Sequence, residues 1–436
     1  MILDIIITTN APGELLTWVK PVILVLNKEI PSSRIIIALV PCPFSSGLEY
    51  NVASEFPEIS CVLTPEETIY FLLKNKLPVN KYFSLSKQGL VLHLGGDQFF
   101  SLLLAKRTKF PLIVYTEKFI NWHNFVDKFL LIDQQSYTKK RLKGIPHQKL
   151  CVVGNLMVDA VQTTMDPRKV REQLNLKSSM PIISLLPGSK PFKVKYLTPL
   201  LLKISDEIRK KDNNIQFVIH RSIFTPLEQL EESITNEKYR KVTNGTKASL
   251  FSDKSGDYII TENGTKVVII PPSYHYNGIQ ISDICLTTPG TNTAELAILG
   301  IPMIILLPLN KPEIIPLEGI LGRIGDIPYI GKLMKIPLIK YTLKKIKFTS
   351  LPNIKSNMMI VPEFIGNIDI NQVVDNTIDL LNDHQRRREI SINLRKIMGN
   401  KGAAFNVVNQ IKELMIKNYP CLRNQLEYKI NKSITK

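Results

Sequence analysis

The first part of the chain alternates short apolar runs with stretches in which apolar residues recur at helical spacing, such as 14–27 and 66–74. The apolar runs are nearly continuous in Ile, Leu and Val, which is typical of strands buried on both faces of a parallel sheet. They cover residues 3–8, 35–40, 90–94, 112–115, 129–132 and 150–153. This alternation predicts a doubly wound α/β domain over residues 1–165.

A second alternation follows a polar linker. Its expected strands are 182–186, 216–220, 267–270, 284–287 and 303–307, with helices over 197–211 and from Thr293. We expect a second doubly wound domain over 166–369 and a polar helical tail over 370–436. Two such domains in tandem predict a ligand cleft between the carboxyl ends of their sheets, an architecture shared by sugar-nucleotide glycosyltransferases and epimerases.

The second domain carries an expected insertion at 225–266. It contains two dipeptides that are typical of hairpin turns, Asn244-Gly245 and Asn263-Gly264. We therefore expect a β-hairpin or two within this insertion.

Composition and cysteine spacing exclude several classes of protein. Of the 436 residues, 44% are hydrophobic and 22% charged, as in a globular protein and unlike a disordered one. The five cysteines are scattered without a Cys-x-x-Cys pair, so neither a disulfide framework nor a zinc site is expected. Asp4 interrupts the apolar N-terminus, which argues against a signal peptide, and the longest apolar run, 296–309, is shorter than the about 20 residues of a membrane span. We expect a cytoplasmic protein that contacts the inner face of a membrane peripherally.

The charge balance is unusual, because 56 Lys and Arg against 38 Asp and Glu give a net charge of +18. Such an excess indicates a polyanionic partner, either nucleic acid or an acidic membrane, unless it is spread over a solvated surface. Segment 319–347 carries seven Lys and Arg against Asp326 alone, between aliphatic residues. Because it offers few aromatic side chains for base stacking, this basic amphipathic segment favours an anionic membrane surface over nucleic acid. A core-facing loop with a solvated basic side is the alternative.

Two loops of the second domain have the composition of phosphate-binding turns. Gly188-Ser189-Lys190 follows one expected strand, and Lys193 and Lys195 add positive charge. Thr288-Pro289-Gly290-Thr291-Asn292 follows another and opens a helix, whose Glu295 can accept hydrogen bonds from ribose hydroxyls. The alternative is an ordinary pair of strand–helix turns, with Thr291 or Thr293 as a cap and Glu295 completing a capping box.

Two loops of the first domain also follow expected strands. The loop at 9–14 lacks the Gly-x-Gly-x-x-Gly pattern, so it does not support a dinucleotide. Its Asn10, Gly13 and Glu14 are expected to face a sugar acceptor, unless the loop is only a turn capped by Asn10. Leu94-Gly95-Gly96-Asp97 places a carboxylate where it can remove a proton from an attacking hydroxyl. Such an aspartate can also serve only as a helix cap.

With these loops, the sequence resembles the lipid-A-disaccharide synthases, membrane-associated glycosyltransferases of the two-Rossmann GT-B fold. The matching stretches, in the family's order, are 153–159, 185–190, 288–302 and 350–353. The resemblance extends from the N-terminal loop to about residue 365.

Members of that family join a UDP-activated, acylated glucosamine to a lipid-linked sugar phosphate, with inversion and without a metal. The resemblance therefore implies a UDP-sugar donor, a lipid-linked acceptor and no cofactor, and it makes Asp97 the match to the catalytic aspartate. It assigns the nucleotide sugar to Gly188, Ser189, Lys190, Thr288, Gly290, Thr291, Asn292, Glu295 and Asn353.

Several positions depart from the family's pattern. The family's Gly-Glu-x-Ser-Gly-Asp loop reads Ala-Pro-Gly-Glu-Leu-Leu at 11–16, and Lys190 stands where Arg is usual. Trp122 alone remains of a two-Trp motif, and Met358-Met359 replaces Arg-Glu. Two alternatives stay open: a UDP-GlcNAc epimerase, because the fold is the same, or a membrane-associated nucleotide-sugar binder without catalysis, because these altered regions concern the acceptor.

Overall fold

The computed structural model describes residues 2–42, 45–74, 76–78, 84–116, 120–308 and 347–427. The chain divides into two compact units. The first unit contains the residues up to Ala160 together with those from Gly399 onward, and the second contains Val161–Met398.

The first unit is built around a seven-stranded sheet in which all paired strands are parallel. Its strands are β1 (Leu3–Thr9), β2 (Ser33–Leu39), β3 (Cys61–Leu63), β4 (Gly89–His93), β5 (Leu112–Thr116), β6 (Lys128–Leu131) and β7 (Leu150–Val152). All seven residues of β1 are buried, and Ile5 pairs with Ile35 on one side and Leu90 on the other. The six strands expected from apolar runs are confirmed, whereas β3, only three residues long, was missed.

Helices cover this sheet on both faces, as expected for a doubly wound unit. The described helices are Pro12–Glu14, Lys20–Glu29, Glu49–Ser54, Pro65–Lys74, Gln98–Thr108, Gln134–Leu142, Leu156–Ala160, Ala403–Asn418 and Arg423–Glu427. A π-helical turn, Leu15–Val19, joins the first two of them. Phe71 and Leu102 from two of the helices pack with Phe129 of β6 in one buried cluster.

The strand order of this sheet is β3-β2-β1-β4-β5-β6-β7. The chain therefore moves outward from β1 in one direction and from β4 in the other, so the sheet has its topological switch point between these two strands. Ligands of such sheets bind at the carboxyl ends of the strands beside the switch point. The loops that contain Asn10 and Asp97 follow β1 and β4, so both lie there.

The second unit contains an eight-stranded sheet in the order β10-β11-β12-β9-β8-β13-β14-β15. Its strands are β8 (Ile182–Leu186), β9 (Gln216–His220), β10 (Ala248–Asp253), β11 (Gly256–Thr261), β12 (Lys266–Ile270), β13 (Ile284–Thr287), β14 (Met303–Pro308) and β15 (Glu363–Gly366). The switch point lies between β8 and β13, which lead into the loops of Gly188 and Gly290. The expected pair of Rossmann-like sheets is confirmed.

The described helices of the second unit are Pro167–Gln173, Pro191–Lys211, Leu227–Thr235, Glu237–Thr243, His275–Ile279, Thr291–Leu299, Leu351–Ser356, Ile370–Asn382 and His384–Met398. None of the helices in the described part of the chain is long and apolar enough to cross a membrane. The basic amphipathic segment expected at 319–347 lies outside the described residues except for Lys347.

The insertion at 225–266 contributes two helices and the antiparallel hairpin β10–β11, which extends the sheet. Asn263-Gly264 lies in the turn between β11 and β12, as expected. The hairpin expected at Asn244-Gly245 was wrong, because Asn244, with φ of 52°, ends the helix Glu237–Thr243 instead. Asparagine is tolerated at both kinds of left-handed position, so the dipeptide alone does not separate them.

The helices from residue 370 onward are divided between the two units rather than forming one tail. The helix Ala403–Asn418 packs in the first unit, where both oxygens of the Asp159 carboxylate accept hydrogen bonds at its start, from the N–H groups of Gly402 and Ala404 at 2.6 Å each. Asn406 donates a further bond to the Val153 carbonyl, at 3.0 Å. These contacts attach the helix Ala403–Asn418 to the residues that follow β7 in the first unit.

Candidate functional site

The loops after β8 and β13 both depend on glycine. Gly188 has φ of +104° and Gly290 has φ of +152°, conformations that side chains disfavour. Gly290 begins the nine-residue helix Thr291–Leu299, and within the described residues no side chain caps it. The carbonyl of Gly290 accepts bonds from the N–H and the hydroxyl of Thr293, at 3.1 and 2.8 Å. The first N–H groups of the helix thus lack a side-chain cap, which is the arrangement that binds anions at a helix start.

A short chain of hydrogen bonds joins the two loops. The amide of Asn292 donates to the Thr287 hydroxyl at 3.4 Å, and that hydroxyl donates to the Leu186 carbonyl at 3.0 Å. Thr288 is buried, whereas Ser189 and Lys190 are partly exposed. The structure therefore brings together, in the second unit, the two loops that the sequence singled out.

Glu295 lies one turn inside the helix Thr291–Leu299. The hydroxyl of Tyr276 donates to its carboxylate at 3.2 Å. Burial raises the pKa of Glu295 to about 7, against the lowering effect of that hydrogen bond, and burial beside this carboxylate raises the pKa of Tyr276 well above its usual value. Among the described residues Glu295 forms no capping box; its carboxylate instead accepts a hydrogen bond from the Tyr276 phenol. No pattern in the sequence pointed to Tyr276.

Asn353 differs from its expected role. The side chain is fully buried, and its amide nitrogen donates to the Val361 carbonyl at 2.8 Å and to Glu363 at 2.7 Å. Its oxygen accepts from the N–H groups of Ile360 and Val361, at 2.8 and 3.1 Å. An asparagine side chain has two donor and two acceptor positions, so no group remains for a nucleotide sugar. The expectation that Asn353 contacts the ligand is corrected: this amide supports the loop before β15.

The Glu363 carboxylate accepts most of the hydrogen bonds that hold this region in place. It accepts from the backbone and hydroxyl groups of both Thr349 and Ser350, in addition to Asn353. Burial acts to raise the pKa of Glu363, but the bonds from Ser350 and Thr349 outweigh it and hold the pKa below its usual range. The segment 349–353 is thereby fixed to the first residue of β15.

Asn353→Asp is expected to lower the free energy of unfolding by about 2 kcal/mol, because it replaces the two donor bonds with a carboxylate that faces Glu363. Thermal unfolding followed by circular dichroism measures this. The matched control is Asn357→Asp, at an exposed helix end with φ of 54°, which should change stability little. Equal melting temperatures for the two variants would contradict the supporting role.

In the first unit, the loops after β1 and β4 are in contact. A Cβ atom at Gly95 would collide with the Glu14 carboxylate, and one at Gly96, with φ of +82°, would collide with Val40 and approach Asn10. The N–H of Asn10 donates to Glu14 at 3.4 Å. The two glycines therefore let Glu14 and Asn10 approach the loop segment that leads into Asp97.

The π-helical turn Leu15–Val19 begins directly after this loop. The Thr17 hydroxyl donates to the Gly13 carbonyl at 2.7 Å, which ties the loop to the turn. Such turns are rare and occur frequently at functional sites. The sequence predicted an ordinary helix there.

Asp97 is exposed and is the N-cap of the helix Gln98–Thr108. Its Oδ1 accepts from the N–H of Phe99 at 2.9 Å, and in the described part of the chain Oδ2 has no partner. Three other aspartates, Asp133, Asp166 and Asp369, cap helices in the same way. The capping role is thus observed, and it leaves one carboxylate oxygen available for chemistry.

Beneath Asp97 lies a buried polar cluster of His93, Thr8 and Ser101. The His93 Nδ1 is 2.8 Å from the Ser101 hydroxyl and 3.2 Å from that of Thr8, and the two hydroxyls are 2.7 Å apart. Burial lowers the pKa of His93 to about 4, so the ring is neutral at neutral pH. The cluster connects β1, β4 and the helix that Asp97 begins.

The family model for lipid-A-disaccharide synthetase matches residues 117–323. The lipid-A-disaccharide synthase of Sulfurihydrogenibium sp. (strain YO3AOP1) is 26% identical over 275 residues, which are 62% of this chain and 60% of that protein. That of Geobacter sulfurreducens is 25% identical over 189 residues, 43% of this chain and 40% of that protein. This chain is a divergent relative of the lipid-A-disaccharide synthases. Its matched stretches span 60% or less of the length of these two relatives.

Solved structures of other proteins share the fold of this lipid-A-disaccharide synthase relative. The UDP-GlcNAc 2-epimerase of Methanocaldococcus jannaschii superposes with a TM-score of 0.55 at 14% identity, covering 95% of this chain and 100% of that one. The UDP-GlcNAc 2-epimerase of Neisseria meningitidis, solved bound to UDP-GlcNAc, gives 0.55 at 15% identity with the same coverage. The fold is therefore of the GT-B type, with two Rossmann-like domains.

The region that matches the lipid-A-disaccharide synthetase model includes Glu295 and both glycine loops but neither Asp97 nor Asn353. The comparison thus supports the second unit's loops more directly than it supports the predicted catalytic aspartate.

Proposed function

We propose that the chain is an inverting glycosyltransferase. It transfers a glucosamine unit, acylated as the family resemblance implies, from a UDP-sugar to a lipid-linked acceptor in lipid A or glycolipid synthesis. The observation that carries the proposal is the pair of glycine loops at the switch point of the second sheet, within the stretch that matches the synthetase family.

The second unit would hold the donor. The N–H groups of Thr291 and Asn292 and the positive end of their helix suit the diphosphate, and the Glu295 carboxylate suits the ribose hydroxyls. When the bond between the sugar and UDP breaks, the electron pair leaves with the diphosphate, and fixed donors stabilise that charge without reorganising. In this proposal, backbone N–H groups and the helix dipole, rather than a metal ion, stabilise the UDP leaving group.

The first unit would supply the base. An acceptor hydroxyl attacks the anomeric carbon from the side opposite UDP, which inverts the configuration there, and Asp97 takes the hydroxyl proton. Asn10, Gly13 and Glu14, on the loop that approaches Gly95 and Gly96, would contact the acceptor sugar. A lipid-linked acceptor requires contact with a membrane at its cytoplasmic face, which the net charge of +18 favours.

The proposal is tested by incubating the purified chain in detergent with UDP-GlcNAc, its acylated forms and a panel of lipid-linked sugar phosphates. Mass spectrometry of lipids from cells with and without the protein then identifies the natural product. An acylated disaccharide that is missing without the protein supports the proposal; unchanged lipids in both experiments would overturn it.

A UDP-GlcNAc epimerase is the second candidate, because the solved epimerases share the fold over nearly the whole chain. Epimerisation needs no lipid. Conversion of UDP-GlcNAc alone in detergent-free buffer would favour this candidate over transfer.

Nucleoside binding is expected to weaken at low pH because of Glu295. Its pKa of about 7 means that the carboxyl is protonated below that pH and ionised above it. Since the ionised form accepts hydrogen bonds from ribose, uridine affinity should rise about tenfold between pH 6 and pH 8, as expected for loss of one proton. Uridine is the suitable probe because it carries no phosphate. NMR titration measures the affinity, and Glu295→Gln should flatten the profile; a slope that persists in this variant would contradict the assignment.

A further inference from the structure

Lys193 lies across both glycine loops of the second unit. It belongs to the first turn of the helix Pro191–Lys211, and its ammonium donates a hydrogen bond to the Pro289 carbonyl of the loop after β13. A Cβ atom at Gly290 would lie 3.1 Å from the Lys193 Nζ, and one at Gly188 would lie 3.3 Å from its Cδ. The side chain thus occupies the space that glycine leaves open in each loop.

The charge of Lys193 has no counter-ion in the part of the chain that the structure describes. The flanking loops, 186–189 and 287–292, contain no charged residue, and the neighbouring charge is the cation Lys190. The next titratable group along the facing helix is Glu295, which pairs with Tyr276. Burial, and to a smaller extent Lys190, lower the pKa of Lys193 to about 7. A largely buried cation without a carboxylate is stabilised when an anion binds beside it.

We propose that Lys193 is the residue that binds the diphosphate of a nucleotide sugar in this chain, as the point charge between the two glycine loops. The inference rests on the proposed function, whose donor carries such a diphosphate. Lys190, which the sequence placed in this role, is secondary. A consequence is that UDP-sugar binding above neutral pH is accompanied by uptake of a proton at Lys193, because the diphosphate favours the charged ammonium.

The test is calorimetric titration of the full chain with UDP-GlcNAc and with uridine at pH 8. Lys193→Met keeps the apolar stem and removes the charge, and it should weaken UDP-GlcNAc binding about 10- to 100-fold, the range of a hydrogen bond to a charged group, with uridine binding unchanged. Lys203→Met is the matched control, since Lys203 lies further along the same helix, Pro191–Lys211, and pairs with Glu207 at 2.9 Å instead. Repeating the titration in two buffers of different ionisation enthalpy counts protons, and the uptake should disappear in Lys193→Met.

Lys193→Gln provides a second variant should the methionine variant fold poorly. Wild-type affinity in both variants, or an equal loss for UDP-GlcNAc and uridine, would overturn the inference, as would a wild-type chain that binds no UDP-GlcNAc. A chain that binds UDP-GlcNAc through Lys193 but transfers no sugar would support this inference and overturn the proposed function.

Discussion

Asp97→Asn is expected to lower kcat for sugar transfer about 10²- to 10⁴-fold, the usual contribution of a positioned general base. The substitution distinguishes the two roles of Asp97, the proposed general base and the observed helix cap. An asparagine oxygen can still accept the bond from Phe99 N–H and cap the helix, but the amide cannot take a proton. Stability and UDP-GlcNAc affinity should therefore stay near those of the wild type. Initial rates on the acceptor that the lipid panel identifies measure the effect.

Two further variants complete this test. Asp97→Ala removes base and cap together, so it should match Asp97→Asn in rate while costing about 1 kcal/mol of stability. Asp133→Asn is the matched control, because Asp133 caps another helix of the same unit through the Ser136 N–H at 2.7 Å. Full turnover by Asp97→Asn would show that the carboxylate is a cap and that another group accepts the proton.

Prediction from the sequence was most successful where a single physical rule, the burial of apolar side chains, determines the local structure. Runs of Ile, Leu and Val in β1 and β4 are buried on both faces, so apolar content predicted them within two residues. Loops rich in glycine after such runs predicted the candidate site, because the carboxyl ends of parallel strands meet at one edge of a sheet. The three-residue strand β3 has too short a run to be recognised in this way.

The parts that failed depend on contacts between residues far apart in sequence. The collision that a side chain at Gly95 would have with Glu14 spans 81 positions, and no local pattern reports it. Asn353 was predicted to bind the ligand, but Glu363, Val361 and Ile360 together use its amide completely. Lys193 was one of several lysines in the sequence, and only the structure distinguishes it as the one that reaches Pro289. The sequence shows that these side chains are present, but the residues that they contact are determined by the fold.

The division of the C-terminal helices was also not predicted from the sequence, and a buried ion pair is one of the contacts that link the helix Ala403–Asn418 to the first unit. Lys412, 2% exposed, lies on the helix Ala403–Asn418, and its ammonium is 2.5 Å from the Glu29 carboxylate, which is 13% exposed. Glu29 is the last residue of the helix Lys20–Glu29, so the pair joins the returning chain to the start of the first unit. A lysine on the apolar face of a helix is costly to bury unless such a partner is present.

Breaking this pair on one side is expected to lower the free energy of unfolding of the first unit by about 3–5 kcal/mol, because an unpaired charge stays buried. Glu29→Gln should cost more than Lys412→Met, since the ammonium is the more deeply buried partner. The double variant Glu29→Leu/Lys412→Met replaces both charges with apolar groups and should recover to within about 1 kcal/mol of the wild type. Both tryptophans, Trp18 and Trp122, lie in the first unit, so urea unfolding followed by tryptophan fluorescence reports on this unit alone. If the double variant instead lost the sum of the two single costs, the Lys412 and Glu29 charges would not be coupled, and the single-variant costs would have another cause.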